Sequence, residues 1–142
     1  MFRLDSAFEA TSTPLVLLPL CEARLQADAR FPWVVLIPRT EAAVEMEDLP
    51  DADRPRLMDE ILVAGRAVRA VGEALGRPVA KLNVGQLGNI TRQLHVHVVG
   101  RRPDDAAWPG PVWGHGAAET YEAQALETAL GAARRVLSSA AE

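Results

Sequence analysis

The sequence predicts an α+β protein with a roughly five-stranded, mainly antiparallel sheet and two main helices. Three observations carry that reading. Residues 53–76 place apolar side chains at 4-3-4-3-4 intervals, the repeat of one helix face, and residues 119–138 carry a second such stripe. Before and between them lie short apolar or alternating runs closed by Pro and Gly, the length and punctuation of strands. The connections between those runs are too short for parallel crossovers, so adjacent runs are expected to pair antiparallel.

Taken in order, residues 1–12 read as a loosely ordered arm or short helix. L-V-L-L-P-L (15–20) is a short apolar segment interrupted by Pro19, and E-A-R-L-Q-A-D (22–28) extends as a strand. A-R-F-P (29–32) is a turn, and W-V-V-L-I-P (33–38) is a buried strand ended by Pro38, so the two form a hairpin. The long helix lines Leu57, Ile61, Ala64, Val68, Val71 and Leu75 along one face, with Asp51 as N-cap and Gly76 as stop. V-A-K-L-N-V-G (79–85) and R-Q-L-H-V-H-V-V (92–99) are two further strands joined through G-Q-L-G-N. A Trp/Pro/Gly-rich loop (107–116) leads to the last helix, whose face is Ala123, Leu126, Leu130, Ala133 and Leu137.

Composition narrows the function classes. A chain of 142 residues, 49% apolar and 24% charged, is expected to form one domain over 1–142 with a substantial core. A net charge of −4 provides no general attraction to nucleic acid or anionic membrane, so an anionic ligand must be held by local donors. One cysteine, Cys21, excludes an intramolecular disulfide, and no run approaches the about 18 apolar residues of a membrane helix. With no signal peptide in M-F-R-L-D-S-A-F-E-A, a cytoplasmic location is expected.

The chemistry concentrates in Q-L-H-V-H-V-V-G (93–100), which holds two of the three histidines, His95 and His97; the third is His115. Strand alternation projects Gln93, His95 and His97 from one open, polar face, while Leu94, Val96 and Val98 pack onto the helices. Three readings fit that row. The imidazoles can be half-exposed on a solvated sheet. They can hold a metal, for which zinc would need a third protein ligand that neither His115, Cys21 nor a carboxylate offers at telling spacing. Or one can attack while the other stabilises developing charge. Gly85, Gly88 and Asn89 precede the pair, in a turn whose backbone N–H groups could approach an anion beside His95.

The segment N-V-G-Q-L-G-N-I-T-R-Q-L-H-V-H-V-V (83–99) resembles the signature of the histidine triad superfamily of nucleotide hydrolases and transferases: His-φ-His-φ-His-φ-φ, with φ apolar, after a strand bearing Asn and a Gly-Gln turn. W-V-V-L-I-P-R is similar to the family's Leu-Val-Ile-Pro-Lys strand and A-W-P-G-P to its Trp/Pro segment, so the likeness spans about residues 21–115. It implies that His95 attacks the α-phosphorus of a nucleotide, that His97 contacts phosphate oxygens, and that the carbonyl of Gln93 orients the nucleophile. Asn83, Gly88, Asn89 and Thr91 would bind the nucleotide or its phosphate, Asp28 the ribose, and Trp108 would close over the site or pack on a partner subunit. Dinucleoside polyphosphates or nucleoside phosphoramidates are the implied substrates, with no metal or cofactor and a homodimeric assembly.

The chain departs from that pattern at Gln93, which replaces the first histidine, at Trp33, where a histidine is common, and at Ile90, which replaces Ser or Thr. Gln93 cannot shuttle a proton near neutral pH, and losing such a shuttle costs about 10²–10⁴ in rate where it is used. Gln93 and Ile90 therefore favour a competing reading, a nucleotide-binding module with little turnover. A metal-binding protein comes third.

Overall fold

A computed structural model describes residues 1–141. In chain order the elements are α1 (Ser6–Thr11), β1 (Ser12–Leu17), β2 (Cys21–Gln26), β3 (Trp33–Pro38), α2 (Asp53–Ala74), β4 (Lys81–Gly85), β5 (Val96–Arg101) and α3 (Ala123–Ser138). A short 3-10 turn at Met46–Asp48 leads into α2. The five strands form one sheet in the order β1-β2-β3-β5-β4, and every neighbouring pair is antiparallel. The expected α+β fold and the β2–β3 hairpin are therefore present.

The β3–β5 register divides the sheet into two faces. Val34 lies opposite Val98 and Leu36 opposite Val96, and all four pack with α2 and α3 in the larger core cluster. Trp33 lies opposite Val99 and Val35 opposite His97, and these four side chains occupy the other face. That second face is not open. Phe8 from α1, Phe31, Ala107 and Val112 join Trp33, Val35, Ile37 and Val99 there in a separate apolar cluster.

Several element limits differ from the expected ones for identifiable reasons. The first strand runs over Ser12–Leu17, ahead of Pro19, and the residues before it form the one-and-a-half-turn α1, capped by Asp5, whose carboxylate accepts from the N–H of Ala7. Helix α2 starts from Ala52 without a side-chain cap, so Asp51 is not its N-cap; Leu75 and Gly76, the latter at φ 73°, close its end. Its buried face is wider than the predicted stripe, taking in Glu60, Val63 and Ala67 beside Leu57, Ala64, Val68 and Val71. Helix α3 begins at Ala123, which is exposed, while Leu130, Ala133 and Leu137 are buried as expected.

Glu60 is the informative addition. Its carboxylate, 5% exposed, accepts from the buried N–H groups of Leu20 at 3.0 Å and Cys21 at 2.7 Å, tying α2 to the β1–β2 turn. Glu60→Ala strands both donors away from water. It should lower unfolding free energy by about 2–5 kcal/mol in urea denaturation, since each unsatisfied buried polar group costs about 1–3 kcal/mol.

Candidate active site

Strand β5 begins at Val96, so Gln93, Leu94 and His95 lie just outside the ladder rather than within a strand over 92–99. Carried two residues further, the β3–β5 register would set Leu94 opposite Pro38, which has no N–H to give. The carbonyl of Leu94 therefore has no donor at Pro38, and its N–H donates outside the ladder to the carbonyl of Ala43 at 3.0 Å. The chain is thereby free to turn, and Nδ1 of His95 lies 2.7 Å from the carbonyl oxygen of Gln93. A carbonyl can only accept, so Nδ1 carries a proton, and in the neutral ring the lone pair is on Nε2. His95 is 6% exposed; its ring packs edge-on against Phe8 at 4.9 Å and His97 at 4.8 Å between centroids.

His97 has the opposite arrangement. Nε1 of Trp33 donates to its Nδ1 at 3.0 Å, and an indole N–H can only donate. Nδ1 of His97 therefore offers its lone pair and Nε2 carries the proton. Burial, together with the neighbouring His95, lowers the His97 pKa from its ordinary 6.5 to about 4. With both rings neutral, the pair sets a lone pair at Nε2 of His95 beside an N–H at Nε2 of His97.

Both rings line a cleft of about 490 Å³. One wall is α1, through Ala7, Phe8 and Thr11; another is the turn after β4, through Gly88, Asn89, Ile90 and Thr91; a third is the returning loop with Val112 and Trp113. Gly88 takes φ 81°, a left-handed conformation that suits glycine, and Ile90 stands at the rim with 97% of its surface exposed. Gly85 does not line the cleft. It pairs with His97, and the edge of the Trp113 ring fills the space where its Cβ would be, 2.9 Å away. The glycine seats an indole rather than forming part of the predicted anion-facing turn.

Asp28 and Arg30 also line the cleft. Both Asp28 oxygens are engaged by the Arg30 guanidinium, and Oδ1 also accepts from the N–H groups of Arg30 and Glu119. Burial pushes the Asp28 carboxyl up, but these bonds outweigh it and hold the group below the usual carboxylate range. Arg30 also donates to the carbonyl of His115 at 2.6 Å, so the pair fastens the returning loop over the site.

Two predicted site residues lie elsewhere. Asn83 accepts from Nη1 of the buried Arg101, and Trp108, 40% exposed, lies over the same guanidinium at 5.6 Å. Neither lines the cleft; both belong to a hub in which Arg101 also pairs with Asp105 at 2.8 Å. The tryptophan over the site is Trp113, 5.5 Å from His97 between ring centroids. Sequence reading missed Trp113, Phe8 and Arg30 as site residues. The second tryptophan of W-P-G-P-V-W-G-H-G was a visible signal for the first; nothing in the sequence pointed to the other two.

Gln93 shares the face of His95, but its amide is turned to the N-terminal arm. Oε1 accepts from the N–H of Asp5 at 2.8 Å, and Nε2 donates to the carbonyl of Arg3 at 2.9 Å. The residue replacing the first histidine therefore holds the segment that places Phe8 on His95. Among the described residues no three His, Cys, Asp or Glu side chains group so as to hold a metal ion, and no helix is long and apolar enough to cross a membrane.

A five-stranded antiparallel sheet backed by two helices, with a His-x-His pair in a cleft on its other face, defines an architecture that other proteins share. The sequence matches the HIT domain over residues 7–104. A histidine triad protein from Bradyrhizobium japonicum is similar in structure with TM-score 0.88 and 36% identity, over 94% of this chain and 96% of that one. One from Sinorhizobium meliloti gives 0.85 and 38% over 95% and 96%, and one from Marinobacter aquaeolei 0.89 and 33% over 99% of both. A comparison with curated proteins gives no match. The chain belongs to the histidine triad family.

Unfolded His97 takes up a proton below about pH 6.5 and folded His97 only below about 4, so its contribution to stability is present above 6.5 and is lost as the pH falls through that window. Urea unfolding should show a loss of about 2 kcal/mol between pH 7 and 5 from this group, and His97→Asn should remove that part of the slope. Gln93→Ala removes both tethers of the arm. Amide exchange in residues 3–8 should quicken by about tenfold or more, at about 1 kcal/mol per hydrogen bond, while exchange in β5 stays as it was.

Proposed function

We propose that the protein is a nucleotide hydrolase or nucleotidyltransferase that acts at an α-phosphate through His95. The observation that carries this is the bond between Nδ1 of His95 and the Gln93 carbonyl, which in the neutral ring puts the proton on Nδ1 and makes Nε2 the lone-pair nitrogen of a side chain that lines a walled cleft. In the first step Nε2 bonds to phosphorus as the bond from phosphorus to the leaving group breaks; the leaving group departs with its electron pair and takes up a proton from solvent. In the second, water or another acceptor bonds to phosphorus, the P–N bond breaks, and the acceptor's proton passes to solvent. The Nε2–H of His97 is suited to donating to a phosphoryl oxygen as charge builds there. Membership of the histidine triad family, many of whose members are hydrolases or transferases, supports the same reading.

Charge favours one of the two substrate classes. Asp28 and Arg30 are the charged side chains that line the cleft, and they are paired with each other. A polyphosphate chain would bring several negative charges to walls without an unpaired cation, on a protein of net charge −4. A nucleoside phosphoramidate, with a single charge at the reacting phosphorus, suits the cleft better. In this reading Gly88, Asn89 and Thr91, which line the cleft, would meet its phosphate, and Phe8 and Trp113 its nucleoside. Gln93 supplies no proton to the leaving group in this scheme, because its amide is committed to the arm. Homodimerisation belongs to the same proposal; β4, an edge strand with Val84 exposed, is an available surface for it.

The test uses His95→Asn. Alanine would leave a void against Phe8 and His97, because the face is covered rather than open, whereas the Asn amide can still donate toward the Gln93 carbonyl. With a nucleoside phosphoramidate, wild type should turn over and should gain one nucleotidyl group by intact mass after rapid quench. His95→Asn should show neither, with hydrolysis down by at least about 10³. Equal hydrolysis by both proteins would end the enzymatic reading and leave a nucleotide-binding module.

A further inference from the structure

The indole of Trp33 and the imidazole of His97 are diagonal neighbours on one sheet face, since Trp33 is paired with Val99 and Val35 with His97. Both side chains are buried, at 6% and 9% exposure, and the Nε1···Nδ1 distance is 3.0 Å. Trp33 is itself held edge-on between Phe31 at 6.4 Å and Trp113 at 6.2 Å, so the direction of its N–H is set by packing. His97 meets the aromatic rings of Trp33 and Trp113 and, from β4, a glycine without a side chain. The titratable or charged groups that share its cleft are His95, Asp28 and Arg30, and the last two are bonded to each other. Nothing polar and charged therefore competes with the indole for Nδ1.

An isolated neutral imidazole moves between two tautomers, and only one of them presents an N–H from Nε2. We propose that Trp33 is a positioning residue whose indole N–H fixes His97 as the neutral Nε2–H tautomer, so that one imidazole of the pair is dedicated to donating and the other to attack. Trp33 and the Gln93 carbonyl are the matched halves of this device. One donates to the Nδ1 lone pair of His97, the other accepts from Nδ1 of His95, and the two rings, 4.8 Å apart, have opposite roles at Nε2 when both are neutral. The catalytic consequence rests on the proposed phosphoryl chemistry. The tautomer itself does not.

The experiment is long-range ¹H–¹⁵N correlation of the histidine rings in the full chain, without substrate, for wild type and Trp33→Phe between pH 5.5 and 8. In wild type His97 should show an unprotonated Nδ1 and a protonated Nε2 throughout the range. In Trp33→Phe it should become a tautomer mixture and begin to titrate within the range. A protonated Nδ1 on His97 in wild type overturns the proposal, and so does a ring in Trp33→Phe indistinguishable from wild type. On a nucleoside phosphoramidate, Trp33→Phe should lower kcat by about tenfold to a hundredfold, less than outright loss of an oxyanion donor, with KM within about threefold. Unchanged kcat would overturn the positioning role. Absence of turnover by wild type would sink the phosphoryl-transfer reading alone, and the ring spectra would still decide the tautomer.

Discussion

The register between β3 and β5 is the constraint on which the rest of the molecule depends. Because side chains alternate, setting Val34 opposite Val98 and Leu36 opposite Val96 commits those four to the helices. The same choice brings Trp33, Val35, His97 and Val99 together on the other face. A slip of one residue would bury the imidazole under α2 and turn the valines outward. The large apolar cluster therefore also fixes where the histidines stand. Stability and site geometry share one set of contacts.

The end of that ladder is as consequential as its register. Pro38 has nothing to donate, so the strand pairing stops and His95 falls at the hinge between an ordered sheet and an irregular loop. An imidazole inside a regular ladder has its backbone surroundings fixed by the neighbouring strand. Outside it, Nδ1 can turn back to the carbonyl two residues earlier. The N-terminal arm then covers the exposed side of the ring, held by the two hydrogen bonds of the Gln93 amide. A glutamine serves this purpose well, because it offers one donor and one acceptor at the same end and both are satisfied by backbone.

The long chain between β5 and α3 has no regular structure, yet it supplies a wall of the cleft. Two buried ion pairs give it shape. Arg101 and Asp105 close its first turn, with Asp105 held down to about pKa 2; burial works against that value, and the bonds from Arg101, Arg102 and Ala107 prevail. Asp28 and Arg30 grip its far end through Glu119 and His115. Such pairs repay their desolvation only when every lone pair and N–H is satisfied, and here the guanidinium of Arg101 is further occupied by Asn83 and by the faces of Phe31 and Trp108. Trp113 rests between these two anchors.

The α+β class, the strand and helix order, and the identity of the histidine pair were legible in the sequence because each depends on local periodicity or on one contiguous segment. The apolar stripe from Leu57 to Val71 and the alternation around His97 need no knowledge of distant residues. Gly88, Asn89 and Thr91 line the same cleft as the pair, and they lie only a few residues before it in the chain. Asn83 and Trp108 lie outside that cleft, at Arg101, because a motif position does not show which guanidinium a side chain will meet. Sequence fixes that two imidazoles and a glutamine share one face. Which nitrogen of each ring holds the proton was decided only by tertiary structure, because the Gln93 carbonyl must bend back on His95 and Trp33, sixty-four residues away in the chain, must reach Nδ1 of His97.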